Sequence, residues 1–286
     1  MKIKLGVFFG GKSVEHEVSI ITALQAIENM NKEKYDIVPI YIAKDNKMYC
    51  GDFVDDIKQY TNIDNLKRIS TQVTLSLKDN KTVLLRTNKK FYENEVYDYI
   101  DVAFPIVHGT NVEDGTLQGY LKMFNLPYVG CDVTSSAVGM DKYVSKTILK
   151  ENNIPVLDCK CYYKNEEVED IVKNVEENIE YPVIVKPINL GSSIGIVVAK
   201  SKEELEEAIE DAFTYARKIL IEKAIKNLKE VNCSVLGDYE ECNASECEEL
   251  DKTADILHFR RWIFSTGIYG SRSERFLQRI LSGLYD

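Results

Sequence analysis

The chain has 286 residues, 44% of them hydrophobic and 29% charged, with a formal net charge of −10. That length is enough for two packed domains, no apolar run is long enough to span a bilayer, and the acidic balance argues against a nucleic-acid partner. The seven cysteines are odd in number and scattered, and the N-terminus begins as a strand pattern rather than a secretory signal, so the cysteines read as reduced thiols in a cytoplasm.

The first element carries a test of motif reading. Residues Gly6 to Ser13, GVFFGGKS, match the spacing of a phosphate-binding P-loop. The apolar run Ile3, Leu5, Val7, Phe8, Phe9 continues through Gly6, however, so Gly6 belongs inside a strand over 3–9 and only Gly10-Gly11 can form the turn. The P-loop reading is therefore disfavoured. A helix follows over 13–30, with Val14, Val18, Ile21 and Leu24 on one stripe, and a strand over 37–42. Residues 45–94 are polar and broken, with strand-like pieces QVTLSL and TVLLRT, and read as an elaboration of the first domain. IDVAFPIV (100–107) is a buried strand, EDGTLQGYLKMFN starts a helix with acids in its first turn, and LPYVG is a short strand. Strands alternating with helices predict a parallel sheet covered on both faces, with ligands held where strands run into helix starts. GGKSVEHE and HGTNVEDG both occupy such positions.

A second unit begins near Asp141 with the helix DKYVSKTILKENN, ending before Pro155. YPVIVKP is a buried strand, NLGSSIGIVVAK a small-residue loop returning into a strand, and Ser201-x-x-Glu204 a capping box opening a helix over 202–216. KILIEKAI and KEVNCSVLGD are further strands. Two strands around a Gly-Ser loop suit a flap over phosphates. Lys186 closes an apolar strand, as a snorkelling strand end or as a cation aimed into a cleft, and Gly191-Ser192-Ser193 supplies free amides and hydroxyls. Glu222 and Lys223 are adjacent at a strand end and must point to opposite sides. Taken singly, each of these is more often a solvated residue than a ligand. Cys159-x-Cys161 and Cys242-x4-Cys247 have the wrong spacing for a zinc knuckle, and the three histidines lie far from them in sequence.

In order, GGKSVEHEVS, HGTNVEDGTLQGYL, YVGCD, VGMDKYVSK, VIVKPINLGSSIGI, ILIEKAI and KEVNCSVLG resemble the D-alanine–D-alanine ligase family of the ATP-grasp superfamily, including its D-Ala–D-Ser and D-Ala–D-lactate relatives. The resemblance implies an α/β fold: a Rossmann-like, pre-ATP-grasp parallel-sheet domain over 1–137, then an incomplete ATP-grasp α+β domain over 138–286. It implies ATP-dependent joining of two D-alanines for peptidoglycan precursors through an acyl phosphate. The alternatives are a D-Ala–D-Ser ligase, towards which Asn189-Leu190 and HGTNVEDG lean, or an inactive ATP- or D-alanine-binding remnant. On the family pattern Glu15 binds the ammonium of the first D-alanine, Ser192 hydrogen-bonds Glu15 and helps orient that substrate, and His108 lies beside its carboxylate. Lys142 and Lys186, with the Ser192-Ser193 loop, contact ATP phosphates; Glu222, Lys223 and Ile225 line the adenine pocket; Glu230 accepts from the ribose. Magnesium or manganese and a homodimer built through the first domain are also implied.

Beyond about Cys247 the family pattern fails. Neither the R-x-D-F nor the N-E-x-N segment is found, so no metal ligand is assigned. All 28 lysines lie at or before Lys252, whereas five of the eight arginines lie between Arg260 and Arg279. A shifted frame or truncation is preferred over an evolved tail, although Phe276, Ile280 and Leu284 are spaced as an amphipathic stripe.

Overall fold

A computed structural model describes residues 2–191, 193–238 and 240–249. Ser192 and the Arg-rich tail from 250 onward, with its amphipathic stripe, lie outside the described residues.

Two sheets organise the chain. The first is built from β1 (Ile3–Gly10), β2 (Tyr35–Ile42), β3 (Met48–Cys50), β4 (Thr71–Lys78), β5 (Lys81–Arg86), β6 (Val96–Ile100) and β7 (Val102–Ile106). Its order is β6-β5-β4-β3-β2-β1-β7. β1 runs parallel to β2 and β7, while β2 through β6 pair antiparallel, so the expected parallel sheet is a three-strand centre with an antiparallel extension supplied by residues 45–100. LPYVG contributes one parallel bridge, Ala103 to Tyr128, rather than a strand, because it meets the sheet only through Ala103, while its Leu126 amide turns back to Leu121 O of the helix before it.

After Lys4, which pairs with Asp36 and Asp98 at the strand's start, β1 carries no polar side chain, because from Leu5 on both of its faces are covered. Leu5, Val7 and Phe9 face Ile20, Ala23 and Ile27 of α1 (His16–Asn29). Phe8 faces the opposite cluster, where Leu117 and Leu121 of α3 (Thr116–Met123) pack with Ile40 and Leu84. α2 (Ile63–Ile69) joins the α1 side through Leu66. Gly6 pairs with Val38 and Ala103 in mid-strand, and a Cβ there would stand 2.9 Å from Ile100 Cδ1. It is a packing glycine, which removes the P-loop reading. α3 starts three residues later than its acids suggest. Gly115 has φ +90°, and Asp114 instead receives the Asn111 and Thr116 amides at 2.8 and 3.1 Å.

The helices α4 (Val133–Met140) and α5 (Lys142–Glu151) lead to the second sheet, each opened by an aspartate. Asp132 accepts from Ser135 N at 2.7 Å, and Asp141 accepts from Tyr143 N and Val144 N at 3.0 Å. The sheet holds β8 (Cys159–Tyr163), β9 (Val183–Pro187), β10 (Val197–Ala199) and β11 (Lys218–Lys223) in the antiparallel order β10-β9-β11-β8. Tyr162, Val183, Val185, Ile219 and Ile221 form one face. α6 (Val168–Asn178) and α7 (Lys202–Tyr215) cover it with Ile171, Val172, Val175, Leu205, Ala208 and Ile209. By the two-residue alternation of strands, the other face carries Cys159, Cys161, Ile184, Lys186, Leu220 and Glu222. Register sets these side by side: Glu222 pairs with Ile184 and Cys159, and Leu220 with Lys186 and Cys161.

Ser201 caps α7 through Glu204 N at 3.3 Å, and the Glu204 carboxylate accepts Lys200 N at 2.7 Å, one residue before the position a capping box uses. KEVNCSVLGD folds as two short strands, β12 (Val231–Asn232) and β13 (Val235–Gly237), rather than one. β12 pairs with β15 (Glu248–Glu249), and β13 with β14 (Cys242–Ala244).

Ile209 is fully buried between α7 and the second sheet. Ile209→Ala is expected to lower the unfolding free energy by about 2–5 kcal/mol. Urea denaturation should show this as a lower midpoint with an unchanged slope.

Candidate functional site

Two glycines end β1 because the chain must turn left-handed there. Gly10 and Gly11 have φ +89° and +96°, and a Cβ on Gly10 would strike the Ile42 carbonyl oxygen. His16 holds this turn from below. Its Nδ1 lies 2.6 Å from Gly11 O and its Nε2 3.0 Å from the Tyr41 hydroxyl. A carbonyl can only accept, so Nδ1 carries the proton and Nε2 accepts from Tyr41. Both bonds suit the neutral ring. Burial pushes the His16 pKa below its ordinary value, with Lys44 and Lys67 adding to the effect and the Gly11 bond and Glu17 opposing it.

Glu15 precedes α1 at its N-cap position and is buried, 8% exposed. Its amide donates to Ser13 Oγ at 3.0 Å. Its carbonyl accepts the Ser19 amide at 3.1 Å and the Ser19 hydroxyl at 3.3 Å. The same hydroxyl accepts the amide of His108 at 2.9 Å, and the His108 ring meets Thr22 Oγ1 at 3.1 Å. α1 thus fixes Glu15 and His108 together.

The Glu15 carboxylate sits between two glycine backbones. A Cβ built on Gly109, after β7, would lie 2.6 Å from Oε2. One built on Gly191, after β9, would lie 3.0 Å from Oε2 and 3.3 Å from Oε1. Gly109 also has φ +87° and donates its amide to Glu113. The loops of the two sheets therefore meet at Glu15.

Two lysines flank this junction. The Lys142 amide donates to Ile188 O at 3.1 Å, and its Nζ donates to Leu190 O, pinning the start of α5 to the segment before Gly191. Burial, then the positive charge of Lys186, holds the Lys142 ammonium below its ordinary pKa, against the pull of Asp141 and Glu15. Lys186 Nζ donates to Glu222 Oε1 at 2.6 Å, and the other oxygen of Glu222 accepts Lys146 Nζ from α5. Glu222 is 3% exposed.

Of the residues singled out in the sequence, Glu15, His108, Lys142, Lys186 and Glu222 come to these linked positions. Lys223 points away, as the alternation requires, into an exposed pair with Glu180 at 3.2 Å. Ile225 lies half exposed and Glu230 partly buried on the segment after β11. Ser193 follows Gly191 with φ +59°, in the turn where the Ile196 amide donates to its carbonyl. Lys146 was not singled out. Its signal is its place one helical turn after Lys142, on the same side of α5.

Among the described residues no group of three or more His, Cys, Asp or Glu side chains comes together to hold a metal ion, so the described residues do not fit the divalent cation the family implies. No helix among them is long and apolar enough to cross a membrane.

These features define a two-sheet α/β protein in which the loops of the two sheets meet at the Glu15 carboxylate, within electrostatic reach of Lys142. The family model for the D-ala D-ala ligase N-terminus matches residues 4–131, and that for the D-ala D-ala ligase C-terminus matches residues 148–265. The chain belongs to the D-alanine–D-alanine ligase family. It is 41% identical to a D-alanine–D-alanine ligase of Thermosipho melanesiensis over 93% of this chain and 71% of that one. It superposes on the D-alanine–D-alanine ligase of Coxiella burnetii with a TM-score of 0.75 at 31% identity, over 87% of this chain and 68% of that one. The VanG D-Ala:D-Ser ligase of Enterococcus faecalis gives 0.72 at 32% identity, over 87% and 70%. The chain spans 64–72% of the length of the curated relatives it matches.

Because the His16 pKa lies below 6.5 in the folded protein, the unfolded chain takes up this proton first as pH falls. Stability contributed by neutral His16 is complete above about pH 6.5 and is lost as pH drops from there through the folded-state value, at up to about 1.4 kcal/mol per pH unit. His16→Gln should flatten that slope in urea denaturation curves taken between about pH 6.5 and 5. An unchanged slope would show that His16 titrates alike in both states.

Proposed function

We propose that this chain is an ATP-dependent D-alanine–D-alanine ligase. The observation that carries the reading is the buried Glu15 carboxylate wedged between Gly109 and Gly191, with Lys142 within electrostatic reach of both Glu15 and Lys186. A carboxylate so enclosed, opening beside two cations, suits an amino acid's ammonium on one side and a polyphosphate on the other. The names of the relatives at 41–44% identity support D-alanine as both substrates.

In this reading Glu15 takes the ammonium of the first D-alanine, and His108 and Ser192 orient its carboxylate. Lys142 and Lys186, with the amides around Ser193, screen the ATP phosphates. The adenine rests near Glu222, Lys223 and Ile225, and Glu230 accepts from the ribose. One carboxylate oxygen of the first D-alanine attacks the γ-phosphorus, the bond to ADP breaks, and an acyl phosphate forms. The amine of the second D-alanine then attacks the acyl carbon and loses its proton, and phosphate leaves. The chain's part in these steps is positioning and charge screening, which enclosure strengthens by excluding water. We place the domain boundary near residues 137–138, the reaction in the cytoplasm, and the dimer contact on the first domain.

Phosphate release from ATP by the full chain should rise on adding D-alanine. Lys186→Met should lower turnover on the order of a hundredfold. Glu15→Gln should raise the KM for D-alanine on the order of tenfold or more while leaving ADP affinity nearly unchanged. Binding of ATP and D-alanine without turnover would favour the binding remnant. Product formed only when D-serine is added would favour the D-Ala–D-Ser branch.

A further inference from the structure

On the face of the second sheet away from α6 and α7, one carboxylate holds two ammonium groups. Glu222 Oε1 accepts from Lys186 on β9 at 2.6 Å, and Oε2 accepts from Lys146 on α5. The carboxylate is almost closed to solvent, with its side chain 4% exposed, while Lys146 and Lys186 are 22% and 24% exposed. Lys146 is further fixed by donating to Leu157 O at 3.0 Å. A carboxylate this deep costs several kcal/mol to desolvate unless it is paired. One lysine would cancel its charge. The second leaves the trio with a net positive charge, and the exposed parts of that trio are the lysines.

We propose that Lys146 is a positioning residue for nucleotide capture: by occupying one oxygen of Glu222 it prevents that carboxylate from closing both oxygens on Lys186, so Lys186 keeps its charge available to a polyphosphate. The inference rests on the nucleotide reading given above. Lys146 acts through Glu222 and need not touch the nucleotide. It also ties α5, which carries Lys142, to β11 and β9, which carry Glu222 and Lys186. The two cations expected to meet phosphate are thereby spaced by a third that does not.

Calorimetric titration of the full chain with ADP, alongside D-alanine, tests this. Lys146→Met should weaken ADP binding about tenfold, within the range of coupling between contacting groups, and leave D-alanine binding unchanged. Lys146→Arg should restore ADP binding to within about twofold. If Lys146→Met does not fold, Lys146→Gln, which keeps a donor without the charge, carries the same comparison. A wild-type chain that takes up no ADP overturns the nucleotide reading and this inference with it. A wild-type chain that binds ADP, with neutral variants that bind it equally well, overturns the role of Lys146 alone.

Discussion

The site depends on one steric constraint: the Glu15 carboxylate lies against the backbone of two glycines. Gly109 comes from the first sheet and Gly191 from the second, and a single methyl at either would press on the same oxygen. Glu15 is therefore the point at which the two sheets are in register. It is anchored at the start of α1 by Ser13 and Ser19, and Ser19 in turn fixes His108. Moving any of these elements relative to the others opens or closes the space beside the carboxylate. The geometry of the space beside the carboxylate is thus a property of the whole junction and not of one loop.

The second sheet makes its contribution through strand alternation. One face is apolar without interruption and is sealed by α6 and α7. That burial fixes which residues must lie on the other face, and Lys186 and Glu222 are among them. Leu220 and Ile184 surround the charged pair with apolar neighbours in the same register, which lowers the local dielectric and raises the value of every charge placed there. The thiol of Cys159, beside Glu222 in register, is pushed to a higher pKa by burial, with Lys146 pulling against this, so it stays a neutral part of the same floor. Chemistry and core share one sheet, separated only by its thickness.

Much of this was legible in the sequence because it is local. The unbroken apolar run across Gly6 gives a buried strand, and Gly10-Gly11 is the only place that strand can turn. The run PVIVKP fixes Lys186 at a strand end, and the adjacency of Glu222 and Lys223 requires opposite directions. Where competing signals are weak, the sequence is silent. α4, VTSSAVGM, has small residues and no apolar stripe, so only its Asp132 cap marks it. α6 does carry its pattern in Val168, Ile171, Val172 and Val175, and is readable on the same rule as α1. The acids of HGTNVEDG look like a helix start, but Gly115 in a left-handed conformation delays the helix and turns Asp114 to loop capping. The contacts that assemble the site are long-range: Gly191 meets Glu15, and Lys146 meets Glu222, across stretches of chain that no local pattern spans.

On the proposed nucleotide reading, the arrangement also explains why a protein that gathers negative charge should bury a carboxylate among its cations. Burial lowers the Lys142 pKa, and repulsion from Lys186 lowers it further. Bare lysines crowded into a partly buried cleft would tend to lose a proton or turn outward to water. A buried carboxylate holds Lys186 in place, and a second lysine on that carboxylate returns the positive charge the first pairing removes. Lys142 is held differently, by neutral carbonyls of the segment 188–190, which orient it without cancelling it. The result is a cleft whose cations are fixed before any anion arrives, so the ordering cost is met by folding rather than by binding.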